Sequence, residues 1–184
     1  MDSFPAIEID KVKAWDFRLA NINTSECLNV AYGVDANYLD GVGVSITSIV
    51  LNNRHINLDF YIIADVYNDG FFQKIAKLAE QNQLRITLYR INTDKLQCLP
   101  CTQVWSRAMY FRLFAFQLLG LTLDRLLYLD ADVVCKGDIS QLLHLGLNGA
   151  VAAVVKDVEP MQEKAVSRLS DPELLGQYFN SGVV

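Results

Sequence analysis

The chain is poor in proline and histidine, with four of one and two of the other in 184 residues. Sparse proline and the lack of any low-complexity tract exclude a disordered chain. Basic residues are outnumbered: 16 Lys and Arg stand against 21 Asp and Glu, for a formal net charge of −5. That balance argues against a nucleic-acid binder, which presents a basic face, and no nucleic-acid partner is expected. No apolar run reaches the roughly 20 residues of a membrane span. The longest, LFAFQLLGLTL and GAVAAVV, fall well short. The N-terminal MDSFPAIEIDKVKAWDF has no continuous apolar core of a signal peptide. These absences point to a cytoplasmic protein and leave association with a membrane surface open.

Cysteine is present but lacks the pattern of a metal or redox centre. Cys98 and Cys101 have C-x-x-C spacing, while Cys27 and Cys135 stand alone. A zinc site needs a second close pair of Cys or His, and none follows. A redox pair opens a helix directly after a strand, whereas QCLPCTQ has the character of a loop. All four are expected to be thiols.

The length suits one domain with a sizeable core, and 52% hydrophobic with 20% charged residues is an ordinary globular composition. Residues 1–26 are expected to be an N-terminal arm before the first regular strand, and residues 27–184 the domain. LNVAYGV (28–34), LDFYIIAD (58–65), LRITLYRI (84–91), RLLYLDAD (125–132), GAVAAVV (149–155) and YFNSGVV (178–184) are predicted strands, rich in β-formers and apolar residues. Between them, YLDGVGVSITSIVLNN (38–53) has apolar residues at helical spacing. Asp69 is placed to cap a second helix with Phe71, Phe72, Ile75 and Ala79 on one face. WSRAMYFRLFAFQLLG (105–120) predicts a helix apolar almost all round, hence deeply buried, and closed by Gly120. Alternation of this kind means α/β, with a mainly parallel sheet covered on both faces. Ligands then bind at the carboxyl ends of strands, where Asp35 and Asp130 both fall.

In LLYLDADVV, Asp130 and Asp132 end an apolar run with Ala131 between them. Side chains two apart on an extended backbone point the same way. Such a pair can converge on a hard cation, Mg²⁺ or Mn²⁺, shared with substrate phosphates. The same stretch fits the h-h-h-h-D-x-D-x-[TV] of haloacid-dehalogenase-like phosphatases, whose first Asp is a nucleophile. That motif belongs on the first strand of its domain, and here at least three strands precede it. Gly41 and Gly43 fall inside the predicted helix, so they form no dinucleotide fingerprint. Arg107 and Arg112 interrupt the apolar helix, and each needs an anionic partner or an exit to solvent. His55 and His144 are expected at the surface or partly packed.

With GVDANY, YFRL, YLDAD and YFNSGVV in that order, the sequence resembles glycosyltransferase family 8, and within it the bacterial lipopolysaccharide core glucosyl- and galactosyltransferases. The resemblance covers the whole chain. It implies the GT-A fold, a nucleotide-diphospho-sugar α/β sheet, and transfer of a hexose, glucose first, from a UDP-sugar to the lipopolysaccharide outer core with retention of configuration. By the same resemblance Gly33, Val34, Asp35, Asn37 and Tyr38 hold the uridine and ribose, and Arg112 binds the donor. Asp130 and Asp132 bind the metal, with Asp130 and Ala131 facing the nucleotide. Asp157, Asn180 and Ser181 line the sugar and acceptor. The implied cofactor is a divalent cation, Mg²⁺ or Mn²⁺. The lipid acceptor implies a place at the cytoplasmic face of the inner membrane. The family's late His motif is not matched, and the chain stops at Val184 inside an apolar run. A C-terminally incomplete form with weak metal binding and low activity is therefore expected, a non-catalytic nucleotide-binding fragment being the further alternative. No catalytic nucleophile is assigned.

Overall fold

The computed structural model describes residues 7–18, 26–102 and 106–184. Its strands and α-helices run β1 (Ile9–Asp16), β2 (Cys27–Val34), α1 (Leu39–Asn52), β3 (Asn57–Ala64), α2 (Asp69–Asn82), β4 (Arg85–Ile91), α3 (Phe111–Leu119), β5 (Leu127–Tyr128), β6 (Val155–Lys156), α4 (Glu159–Leu169) and β7 (Phe179–Asn180). They fall into two compact units, Met1–Leu145 and Gly146–Val184.

The first unit holds a five-stranded sheet of order β1-β4-β3-β2-β5. β2 to β5 are mutually parallel, as the alternation of strands and helices requires. β3 is buried along almost its whole length, which explains why NLDFYIIA reads as an apolar run rather than an alternating one. Val42, Ile46 and Ile49 of α1 and Phe71, Ile75 and Ala79 of α2 pack into the same core as Phe60, Ile62 and Ile86 of the sheet. Burying each of the larger side chains contributes roughly 1.5–3 kcal/mol.

Several expectations are corrected. The arm contains a strand: Ile9–Asp16 pairs antiparallel with β4 and closes one sheet edge. Asn68 rather than Asp69 caps α2, its side chain accepting from the Phe71 N–H at 2.8 Å. The strand expected over 125–132 shrinks to Leu127–Tyr128, paired at Val30↔Leu127 and Ala31↔Tyr128. Its acids leave the ladder in a turn closed by the Val133 N–H on the Asp130 carbonyl, 3.2 Å. The helix expected over 105–120 begins with a 3₁₀ turn, Arg107–Tyr110, and is α-helical only from Phe111. It is not buried all round, since Leu113 is 45% exposed. Trp105 lies outside the described residues.

The strand expected over 149–155 is the largest correction. Asn148 and Gly149 turn the chain at positive φ, and Val151 is fully exposed. An Ala- and Val-rich run has the composition of a strand without a neighbour to pair with. Only Val155–Lys156 pairs, antiparallel to Phe179–Asn180, in the second unit's own two-stranded sheet. There Gln162 of α4 is fully buried. It donates to the Asp157 and Tyr178 carbonyls and accepts from the Tyr178 N–H.

Candidate functional site

At the carboxyl ends of β2 and β5 a pocket of about 150 Å³ opens. Eight of the residues expected at a donor site line it: Gly33, Val34, Asp35, Tyr38, Arg112, Asp130, Ala131 and Asp132. Asn37, also expected there, is not among the lining residues. Its N–H donates to Asp35 Oδ1 at 3.0 Å and starts the short turn that leads into α1. Tyr38, 53% exposed, presents its ring beside that turn.

Asp35 is held on both oxygens. Ser106 Oγ donates to Oδ2 at 2.7 Å and also accepts from the Ala108 N–H, capping the 3₁₀ turn before α3. Ser106 lines the pocket, and the sequence reading missed it. Its cap position before R-A-M-Y was legible; its pairing with a residue 71 positions away was not.

Arg112 and Arg107 separate in role. Arg107 donates to the Leu96 and Gln97 carbonyls, both at 3.1 Å, and so braces a loop. Arg112 reaches the pocket. Its Nε donates to the Met109 carbonyl at 2.9 Å, its Nη2 donates to Asp130 Oδ1 at 2.9 Å, and its guanidinium lies 5.1 Å from the Tyr128 ring centroid. With 15% of its side chain exposed, it is a preorganised cation on an aromatic floor. Burial pushes the Asp130 carboxyl above its ordinary range, Arg112 pulls it down, and Asp132 pushes it up again. The Tyr128 hydroxyl is fully buried beneath, where burial raises it and the Arg112 charge pulls it down.

Two glycines let backbone approach here. A Cβ on Gly33 would lie 2.7 Å from Phe111 Cβ and 3.0 Å from the Tyr128 hydroxyl. Gly33 therefore lets the Arg112-bearing helix close onto β2. A Cβ on Gly41 would lie 3.1 Å from the Ala131 carbonyl, so α1 presses directly on the turn between the two acids. Asp65, just past β3, is a third acid at this sheet edge. Burial raises its carboxyl, its own backbone N–H pulls it down, and Asp35 pushes it up again.

Among the described residues no group of three or more His, Cys, Asp or Glu side chains is arranged to hold a metal ion. Asp130 and the exposed Asp132 flank the turn that follows β5. Two carboxylates fit a hard cation that takes its other oxygens from phosphate and water. In the second unit Asn180 is on β7 and Asp157 directly follows β6. Asp157 Oδ1 accepts from the Val158 N–H, and Asn180 Oδ1 accepts from the Gly182 N–H, each at 2.8 Å; Ser181 follows Asn180 in the turn after β7. Cys98 and Cys101 are exposed thiols. No helix among the described residues is long and apolar enough to cross a membrane.

The chain is 40% identical over 178 residues to the lipopolysaccharide 1,2-glucosyltransferase of Escherichia coli, covering 97% of this chain and 51% of that protein. It is 37% identical over 172 residues to the lipopolysaccharide 1,3-galactosyltransferase of Salmonella typhimurium, covering 92% and 51%. The chain spans about half the length of the curated relatives it matches. Among solved structures, galactosyltransferase LgtC with donor and acceptor sugar analogues superposes with a TM-score of 0.72 at 19% identity, over 85% of this chain and 56% of that one. The bifunctional glycosyltransferase WbbM superposes with a TM-score of 0.69 at 20% identity, over 90% and 32%. The fold is GT-A, and nothing in these matches supports the phosphatase alternative. The family model for glycosyl transferase family 8 matches residues 29–184, and the chain belongs to that family.

Proposed function

We propose that this chain binds the donor of a UDP-hexose:lipopolysaccharide-core hexosyltransferase, glucose being the preferred sugar, and that residues 27–184 carry the site. The observation that carries this reading is the convergence of Asp35, Arg112, Asp130 and Asp132 on one pocket at the carboxyl ends of β2 and β5. The relatives named as lipopolysaccharide glucosyl- and galactosyltransferases support the substrate class. The exposed ring of Tyr38 and the Asp35 carboxylate suit a base and a ribose. Arg112 suits a diphosphate, because its charge is already desolvated and aimed. Asp130 and Asp132 would hold a Mg²⁺ or Mn²⁺, which when bound neutralises charge on the departing diphosphate.

Arg112 is paired with Asp130 by a 2.9 Å contact. A diphosphate entering the pocket offers the guanidinium a better-charged partner and frees Asp130 to face a cation. Once exchanged, Arg112 faces the bond that breaks and stabilises the charge that develops on the leaving UDP. Asp157, Asn180 and Ser181 are assigned to the sugar and acceptor.

Calorimetry with UDP-glucose, with Mn²⁺ and with EDTA, tests the reading. Binding should require the cation, and Asp132→Asn should lose the cation-dependent part, by tenfold or more. UDP affinity indifferent to both EDTA and Asp132→Asn would refute the assignment of the acids. Release of phosphate from small phosphomonoesters would restore the phosphatase.

A further inference from the structure

β5 is too short to hold the D-x-D turn. Its ladder ends at Tyr128, and one further hydrogen bond, from the Leu129 N–H to the Ala31 carbonyl at 3.0 Å, is the sheet's last grip before the acids. The backbone that follows is held by α1. Asn53, at the end of that helix, is fully buried. Its Oδ1 accepts from the Ile139 N–H at 2.8 Å, and its Nδ2 donates to the Gly137 carbonyl at 3.2 Å and back to the Ile49 carbonyl at 2.9 Å. One turn earlier Ser48 Oγ accepts from the Cys135 N–H at 2.9 Å, and Asn52 Nδ2 donates to the Cys135 carbonyl at 3.1 Å. At the other end of α1, Gly41 abuts the Ala131 carbonyl. The segment 131–139 is therefore pinned along its length to one helix.

A buried amide is costly unless every polar atom is paired, and when paired it fixes a single geometry. An apolar residue at position 53 would fill the space without fixing the loop's register. We infer that α1 is the clamp that sets the D-x-D turn, with Asn53 as its principal positioning residue and Ser48 and Asn52 assisting. The inference rests on the donor-site reading above. Asn53 touches neither acid; it acts through the backbone of Gly137 and Ile139, as outer groups orient metal-binding carboxylates elsewhere.

The test compares the unsubstituted chain with Asn53→Ala, Ser48→Ala and the core trim Ile75→Val on α2. Two readouts are taken: UDP affinity with Mn²⁺ and with EDTA, and amide hydrogen exchange. Asn53→Ala should weaken cation-dependent UDP binding by about 10- to 100-fold. Exchange should quicken at Cys135 and Ile139 while the β2 and β3 amides keep their protection. Ser48→Ala should give a severalfold loss of the same kind, and remains informative if Asn53→Ala fails to fold. Ile75→Val should lower stability and leave binding unchanged. Unaltered UDP–Mn²⁺ affinity in a folded Asn53→Ala or Ser48→Ala chain overturns the clamp, as does faster exchange spread evenly over the sheet. If the unsubstituted chain itself shows no cation-dependent UDP binding, the donor-site reading falls and takes the clamp with it.

Discussion

Gly33 and Gly43 lie ten residues apart, and the structure separates their roles. A methyl group on Gly33 would collide with Phe111 Cβ at 2.7 Å, whereas one on Gly43 meets nothing within 4 Å. Phe111 is fully buried at the start of α3 and cannot yield. Overpacking of this kind costs about 1–3 kcal/mol. Gly33→Ala should lower stability by that amount in a urea titration and also weaken UDP binding, because α3 carries Arg112. Gly43→Ala removes a flexible residue from a helix interior and should add up to about 1 kcal/mol. Stabilisation by Gly33→Ala would show that α3 does not need the close approach. The sequence reading assigned Gly33 to the nucleotide by family likeness; the structure gives it a packing duty that no local pattern reveals. Asp35 and the two acids stood out as charge at the end of an apolar segment and Arg112 as charge inside one, while their roles came from family likeness. Asn53 did not stand out, since an asparagine after a helix has the look of an ordinary end.

At the scale of elements, the buried runs were the most readable. β2, β3 and β4 were found within about a residue because strands buried on both faces are continuous in sequence. The misses among the strands share one cause, pairing that local pattern cannot show. β1 alternates too weakly to stand out, and GAVAAVV has strand composition with almost no partner. β1 leads into Arg18, which together with Arg85 surrounds Asp59 at the foot of the sheet. Asp59 is almost wholly buried. Desolvation raises its carboxyl above the ordinary value, and Arg85 and then Arg18 pull it back. A carboxyl raised by folding lends stability below the ordinary carboxylate range and loses it as pH rises through the folded value. The guanidiniums limit that loss. Arg18 also lowers the carboxyl of Asp16 by hydrogen bonding, a contribution present at neutral pH and lost on acidification. Both effects give Arg18→Ala the same sign. It should cost about 1–3 kcal/mol at pH 7 and distinctly less at pH 3.5. Denaturant titrations at the two pH values measure the difference, and an equal cost at both would rule out the ion cluster as its source.

For the whole molecule, the division of the core sets the division of stability. The main hydrophobic cluster lies entirely within Met1–Leu145. In Gly146–Val184, Ala165 is the one buried apolar side chain among those described, and the fully buried Gln162 supplies much of the internal order by bonding to Asp157 and Tyr178. Hydrogen bonds contribute only about 1 kcal/mol each on balance, less than a packed core of aromatic and aliphatic side chains. Amides of 146–184 should therefore exchange with solvent well before those of β2 and β3, as local opening draws on the least buried segments. The three residues assigned to the sugar and acceptor, Asp157, Asn180 and Ser181, all belong to this second unit. UDP with Mn²⁺ should slow exchange around 33–38 and 129–139 and leave 155–158 and 178–182 as they were. Under the proposed assignment of Asp157, Asn180 and Ser181 to the sugar, protection at 155–158 and 178–182 should come with UDP-glucose and Mn²⁺ and not with UDP. Identical protection maps for the two ligands would remove Asp157, Asn180 and Ser181 from the sugar site and leave the pocket between β2 and β5 as a nucleotide site alone.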